Sequence, residues 1–361
     1  MSLLNLHEYE IAAREKLPAT AFDYYAGGAG DEITLMDNHH AYDQIKLKPR
    51  VMVDVSKRSL SAVVLGQQVS MPILVAPTAF QGMAHDEGEL ATARAAHAAG
   101  TVMIASTLST FSIEEIVQAA AGSPVWFQLY TYKDRELTKA LVNRAAAAGC
   151  SALVLTVDAP VQGKRERDIR NRFQLPPHLT MKNLLGAGFE KFPHAPDNSG
   201  LSAYINTLFD SSFTWKELDW LCSITRLPVL VKGIMCAEDA ALALQHGASG
   251  IVVSNHGGRQ LDTVPATIDV LPEIAAAVGE KAEVYVDGGI HRGTDVLKAL
   301  ALGAKAVLIG RPILWGLAID GENGVKHVMD LLRDELDIAM ALCGCTSIEA
   351  VNKNVVFSGR G

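Results

Sequence analysis

His256 and Arg259 stand three residues apart in 250-GIVVSNHGGRQLD-262, directly after an apolar run and with two glycines between them. A histidine can take a proton from a hydroxyl, and an arginine can grip a carboxylate through two parallel N–H bonds. Side by side they suit a substrate that carries both groups on neighbouring carbons. Asp158, at the end of 152-ALVLTVD-158, could hold the second nitrogen of such a histidine and stabilise its cation. Lys232 closes the run 228-PVLVK-232. It is either a lysine snorkelling at a strand end, or a Schiff-base or fixed positive charge for an anionic ring. Asp287-Gly288-Gly289 and Gly310-Arg311 could cradle a phosphate, since glycine lets backbone N–H groups approach an anion and arginine adds a fork of donors. Taken singly, each has a plain reading as a turn glycine, a satisfied histidine or surface polarity.

The elements that must position these residues change that balance. Short apolar runs recur at 72–79, 101–107, 125–130, 152–158, 228–233, 250–255, 283–289 and 306–311, and helix-patterned segments such as 88–100, 112–120 and 134–148 separate them. Strands apolar on both faces and alternating with helices predict a parallel sheet covered by helices. Eight such units predict a closed (β/α)8 TIM barrel, α/β in class, in a single domain over 1–361. Residues 1–70 are expected as an N-terminal helical cap, 71–345 as the barrel, and 176–213, polar and rich in Gly, Pro and Asn, as a long lid loop after strand four. Gly100, Gly149, Gly250 and Gly303 are expected to end helices in the left-handed conformation. Thr78, Ser106, Gln128, Tyr130, Thr156, Asp158, Lys232, Ser254, His256, Asp287 and Arg311 all fall at strand ends. In a barrel these ends meet at one mouth, which reads as a binding site.

Composition removes several classes. The formal charge of −8 disfavours nucleic acid as a partner, and no apolar run reaches the length of about 18 residues needed to span a membrane. No G-x-G-x-x-G follows a strand, so a nicotinamide site has no support. No metal constellation is evident, and His39-His40 are expected to be solvated. The five cysteines have neither disulfide-scaffold nor zinc spacing, which predicts a cytoplasmic protein.

With these residues on the page, the chain resembles the FMN-dependent L-2-hydroxy acid oxidases and dehydrogenases, in its glycolate- and lactate-oxidising branch. The likeness runs through 22-FDYYAGGAGDE-32, 77-PTA-79, 126-WFQLY-130, 156-TVDAP-160, 166-ERDIRNRF-173, 231-VKG-233, 254-SNHGGRQLD-262, 287-DGG-289 and 310-GR-311. The resemblance implies His256 as the base, with Asp158 as its partner, and Arg259 and Arg165 as carboxylate binders. Tyr24 and Tyr130 become hydroxyl donors to the substrate, and Lys232 the cation beside the flavin. It implies Pro77, Thr78, Ala79, Ser106, Gln128, Tyr130, Thr156 and Ser254 around the flavin ring and ribityl chain, and Asp287, Gly288, Gly289, His291, Gly310 and Arg311 around the ribityl hydroxyls and phosphate.

Two departures from the family pattern bear on function. The phosphate loop reads 287-DGGIHRG-293, with His291 where the family has arginine, which predicts weaker FMN retention. Leu108 replaces the tryptophan of glycolate oxidases, which favours L-lactate over glycolate. The implied reaction takes a short L-2-hydroxy acid to the 2-oxo acid and passes the electrons to O2, giving H2O2. The competing readings are a quinone- or other acceptor-linked dehydrogenase and a phosphate-binding barrel isomerase. The family also implies a homotetramer or homo-octamer. The C-terminal Phe357-Ser358-Gly359-Arg360-Gly361 lacks an S-K-L-type address, which favours a bacterial cytoplasmic enzyme.

Overall fold

The computed structural model describes residues 3–186 and 199–357. Eight parallel strands close into a barrel: β1 (Ile73–Val75), β2 (Met103–Ala105), β3 (Val125–Leu129), β4 (Ala152–Thr156), β5 (Val229–Ile234), β6 (Gly250–Val253), β7 (Glu283–Asp287) and β8 (Ala306–Ile309). β8 returns to β1 with Val307 opposite Ile73, so the sheet has no open edge. The expected (β/α)8 barrel is therefore present. Most of its strands are shorter than the apolar runs, and four strands carry the first polar residue of the mouth within the pairing: Gln128, Thr156, Lys232 and Asp287.

Alternation along a strand explains how the sequence makes both a core and a site. Leu74, Ile104, Trp126, Val154, Leu230, Val252, Tyr285 and Leu308 fill the barrel interior, one from each strand. A strand repeats its facing every two residues, so the next inward positions are Ala76, Ser106, Gln128, Thr156, Lys232, Ser254, Asp287 and Gly310. One step along every strand turns a dry layer into a mostly polar one.

Residues before the barrel cover both of its ends. An antiparallel ribbon, Ala62–Val64 with Gln67–Val69, plugs the bottom. Its Ala62, Val64 and Val69 join the interior cluster, and Trp126 Nε1 donates to Gln67 Oε1 at 3.2 Å. Helices Ala19–Ala26 and Ile33–Gln44 lie at the mouth. There Asn38 and Asn255 exchange side-chain hydrogen bonds of 2.9 and 2.8 Å.

Two local expectations are corrected. Gly250 does not end a helix: it opens β6, where an added Cβ would lie 3.1 Å from the Leu230 side chain, and the left-handed glycine of the preceding helix is Gly247, at φ +89°. The segment 176–213 is not all loop. It holds a 3-10 turn at Lys182–Leu184 and a helix at Gly200–Leu208, while its residues 187–198 lie outside the described residues.

Candidate active site

β6 ends at Val253, and the chain turns through three consecutive left-handed residues: His256 at φ +59°, Gly257 at +64° and Gly258 at +73°. Glycine is required at the last of these, because a Cβ on Gly258 would sit 2.7 Å from the backbone nitrogen of Leu35. His256 adopts this conformation without being glycine, which costs about 1–3 kcal/mol and persists only where surroundings hold it. They do so here: its Nδ1 lies 2.8 Å from Asp158 Oδ1, and its backbone N–H donates to Ser254 Oγ at 3.1 Å. A carboxylate accepts, so Nδ1 carries the proton and Nε2 keeps its lone pair. Burial holds the His256 pKa below its ordinary value against the opposing pull of Asp158, with Lys232 and Arg165 adding to the depression. For Asp158, burial pushes the pKa up, but His256 and Lys232 outweigh it and hold it below the usual carboxylate value. The pair is thus a neutral imidazole oriented by a charged carboxylate.

The same mouth collects buried cations. Lys232 Nζ lies 3.1 Å from Asp287 Oδ2 and donates to Ser254 Oγ at 2.8 Å. Burial opposes its charge, yet Asp287 and Asp158 together raise its pKa, so it stays protonated. Arg259 donates through Nη1 to the carbonyls of Tyr24 at 2.6 Å and Gly27 at 2.8 Å, with its guanidinium 5.0 Å from the Tyr24 ring centre. Arg165 donates to the Arg259 carbonyl at 3.2 Å. Arg311 donates to the carbonyls of Tyr25, Gly257 and Gly27 at 2.9, 3.0 and 3.0 Å. Burial, with Arg259 next in weight, presses Arg165 to about 10 and Arg311 to about 9. Buried guanidinium groups that oppose one another mark a place prepared for anions. Tyr24 and Tyr130 are kept protonated by burial, as donors. Each is braced by a stacked ring: Phe173 at 4.3 Å for Tyr24, and Phe209 at 4.6 Å for Tyr130.

One cleft, with about 1130 Å³ of space between its walls and its open mouth, is lined by all the residues singled out from sequence except Asp158 and Ser254, which stand directly behind His256 and Lys232. Pro77, Thr78 and Ala79 form part of its wall. Several further wall residues carried no local signal, and four of them concern the chemistry. Tyr25 follows Tyr24, while Leu201 and Ile205 come from the helix in the expected lid and line the cleft that Leu108 also lines. The fourth, His39, corrects an expectation. Instead of being solvated it lines the cleft, with its ring 4.1 Å from that of His291, whereas His40 is exposed. Residues 33–44 gave no sign of this, because the buried face of their helix is made of Thr34, Asn38 and Tyr42 and not of an apolar stripe.

The donors and acceptors fit FMN. Gln128 Oε1 accepts from the backbone N–H of Thr107 at 3.2 Å, which fixes the amide, so its Nε2 donates to Thr156 Oγ1 at 3.0 Å. Ser254 Oγ likewise accepts from Lys232 and from the His256 backbone. Both hydroxyls have a proton to offer to the acceptor-rich edge of a flavin ring. Asp287 Oδ1 is buried and without a hydrogen-bond partner, a suitable acceptor for a ribityl hydroxyl. At the far end, Gly289 at φ +77° admits the close approach of helix Ile33–Gln44, since its Cβ would fall 1.8 Å from the Asn38 carbonyl. Arg311 opens a helix, Arg311–Leu342 with a break at Asp320 and Gly321, whose N-cap Gly310 offers no side-chain cap. Arginine at such a terminus matches a phosphate.

Comparison with known proteins shows the family. Residues 13–358 match the family model for FMN-dependent dehydrogenases. The L-lactate oxidase of Nostoc sp. is 56% identical over 354 residues, covering 97% of each chain. The glycolate oxidase of Spinacia oleracea is 52% identical over 354 residues, covering 98% of this chain and 95% of that one. Among solved structures, mandelate oxidase with (S)-4-hydroxymandelic acid superposes with a TM-score of 0.94 at 44% identity, over 98% of both chains. The match spans both halves of the site, from Tyr24 to Arg311, and the chain belongs to the FMN-dependent dehydrogenase family.

Proposed function

We propose that this protein oxidises a short L-2-hydroxy acid, L-lactate ahead of glycolate, to the 2-oxo acid and passes the electrons to O2, yielding H2O2. The observation that carries the reading is the Asp158–His256 pair at 2.8 Å, beside Arg259 and Arg165 in a cleft of buried cations. Arg259 and Arg165 hold the substrate carboxylate, and the Tyr24 and Tyr130 hydroxyls donate to its oxygens. His256 Nε2 takes the proton of the 2-hydroxyl, and Asp158 stabilises the imidazolium that results. When bound, FMN supplies the two-electron acceptor for the hydrogen leaving Cα and the route from there to oxygen. Lys232 remains charged throughout and offsets negative charge on the ring beside it.

Leu108, Leu201 and Ile205 support the choice of lactate, since an extra methyl finds apolar contact there. The five free cysteines suit a reducing cytoplasm. Among the described residues no helix is long and apolar enough to cross a membrane. Within the expected lid, the helix Gly200–Leu208 would serve to cover the cleft, through Leu201 and Ile205, with the whole chain as one functional domain. A homotetramer or homo-octamer is the assembly we favour, on the family resemblance.

The test is optical. Purified protein should be yellow, bleach on anaerobic addition of L-lactate and regain colour with air, with peroxide formed and oxygen consumed. A colourless protein that takes up no added FMN would overturn the reading.

A further inference from the structure

His39, on helix Ile33–Gln44, and His291, two residues after Gly289, meet at the end of the cleft that carries Gly310 and Arg311. Their rings lie 4.1 Å apart and are tilted by 34°. His39 Nδ1 stands 3.2 Å from the Gly289 carbonyl. A carbonyl only accepts, so this nitrogen carries a proton and Nε2 is the one left to titrate. Arg311, Arg292 and His7 face His291, and Arg311, Glu10 and Asp295 face His39. Asp295 is largely committed elsewhere: Oδ2 accepts from the backbone of His291 and Arg292 at 3.1 and 3.0 Å, and Oδ1 from Lys298 Nζ at 3.3 Å. Burial presses both histidines toward the neutral form, His291 to about 3 with His39 and Arg311 adding to the effect.

We infer that His39 and His291 form a proton-linked half of the phosphate seat, taking up one proton as the phosphate dianion of FMN binds. The inference rests on the FMN reading and adds to it a pair of residues and a pH dependence. Burial is the main cause that keeps the imidazoles neutral, and Arg311 adds to it; a dianion placed against Arg311 offsets that addition and favours a cation beside itself. Only one ring charges, because the first imidazolium repels a second at 4.1 Å. An arginine at position 291 would bring its charge permanently and need no proton. The sign follows from linkage: the complex binds more protons than the free protein, so affinity rises as pH falls.

FMN release from diluted holoenzyme, followed by flavin fluorescence between about pH 8 and 5.5, tests this. The wild type is compared with His291→Arg and with the double variant His39→Gln/His291→Gln. Titration of the FMN phosphate itself, with a second pKa of about 6 as for other phosphomonoesters, is common to all and cancels in ratios of Kd. His291→Arg should bind FMN more tightly at pH 8, and its advantage over wild type should shrink at least about threefold by pH 5.5, within the limit of about tenfold per pH unit for one proton. The advantage of wild type over the double glutamine variant should grow over the same range, a readout that stands even if the arginine variant fails to fold. Ratios that stay constant with pH overturn the inference. If wild-type protein retains no FMN at any pH, it is the FMN reading that fails instead.

Discussion

At the scale of single residues the chemistry depends on a histidine kept neutral yet aimed. Burial lowers the His256 pKa below its usual value, so the base form is already present at neutral pH. The acid limb of kcat/KM, which reports the free enzyme, should therefore fall below the ordinary histidine pKa of about 6.5. Asp158 pulls the other way, raising His256 through charge and hydrogen bond. Asp158→Asn should thus lower kcat/KM and move the acid limb to still lower pH. A limb that stayed in place would deny the pair its electrostatic coupling. His256→Ala should stop reduction of the flavin by substrate while the protein stays yellow, because the cofactor keeps Lys232, Asp287 and Arg311. Stopped-flow reduction of that variant at the wild-type rate would remove His256 from the role of base.

At the scale of elements, the barrel was legible because a short apolar run followed by a helix pattern is a local property, repeated here eight times. A residue facing the dry interior, such as Val252, fixes the facing of Ser254 two positions on, whatever the rest of the chain does. The turn at His256–Gly258 was legible for the same reason. What stayed hidden depends on contacts between distant segments. Leu201 and Ile205 belong to a helix that local composition read as loop, and His39 differs from exposed His40 only by which helix face meets the mouth. The apolar part of the cleft wall inherits this: Leu108 was visible, Leu201 and Ile205 were not. Leu108 is buried at 4% exposure, and its loop is held by Asn183, whose Nδ2 donates to the carbonyls of Ser106 and Thr107, both at 3.2 Å. A wall fixed from both sides has little room to adapt. Leu108→Trp should therefore reduce kcat/KM for L-lactate relative to glycolate by about tenfold, the value of one methyl contact in a fitted pocket. An unchanged ratio would take Leu108 out of substrate choice.

At the scale of the whole molecule, a chain of net charge −8 concentrates Lys232, Arg165, Arg259 and Arg311 in one cleft. That contrast draws small anions to the mouth while the remaining surface repels them. Part of the apolar surface is also clustered. Val51 is 82% exposed and Met52 101%, the latter at φ +59°, with Val53, Ile338 and Leu342 also exposed. These residues are neighbours, not scattered: the Arg50 N–H donates to the Leu342 carbonyl at 3.2 Å, Ile338 lies one turn before Leu342, and Val53 reaches Gly344 just past the helix end. Other large apolar residues are exposed as well, Leu4, Met36 and Leu261 among them, but a cluster of this kind is what a contact between identical chains through equivalent patches would use, and that is the contact we propose to test. The patch lies away from the cleft, so placing a charge on it separates assembly from chemistry. Met52→Asp with Leu342→Asp should lower the mass measured by light scattering by at least half. The yellow colour and its bleaching by L-lactate should persist in the smaller species. An unchanged mass would mean that the interface between copies lies elsewhere, and a smaller species that lost its flavin would tie cofactor retention to assembly.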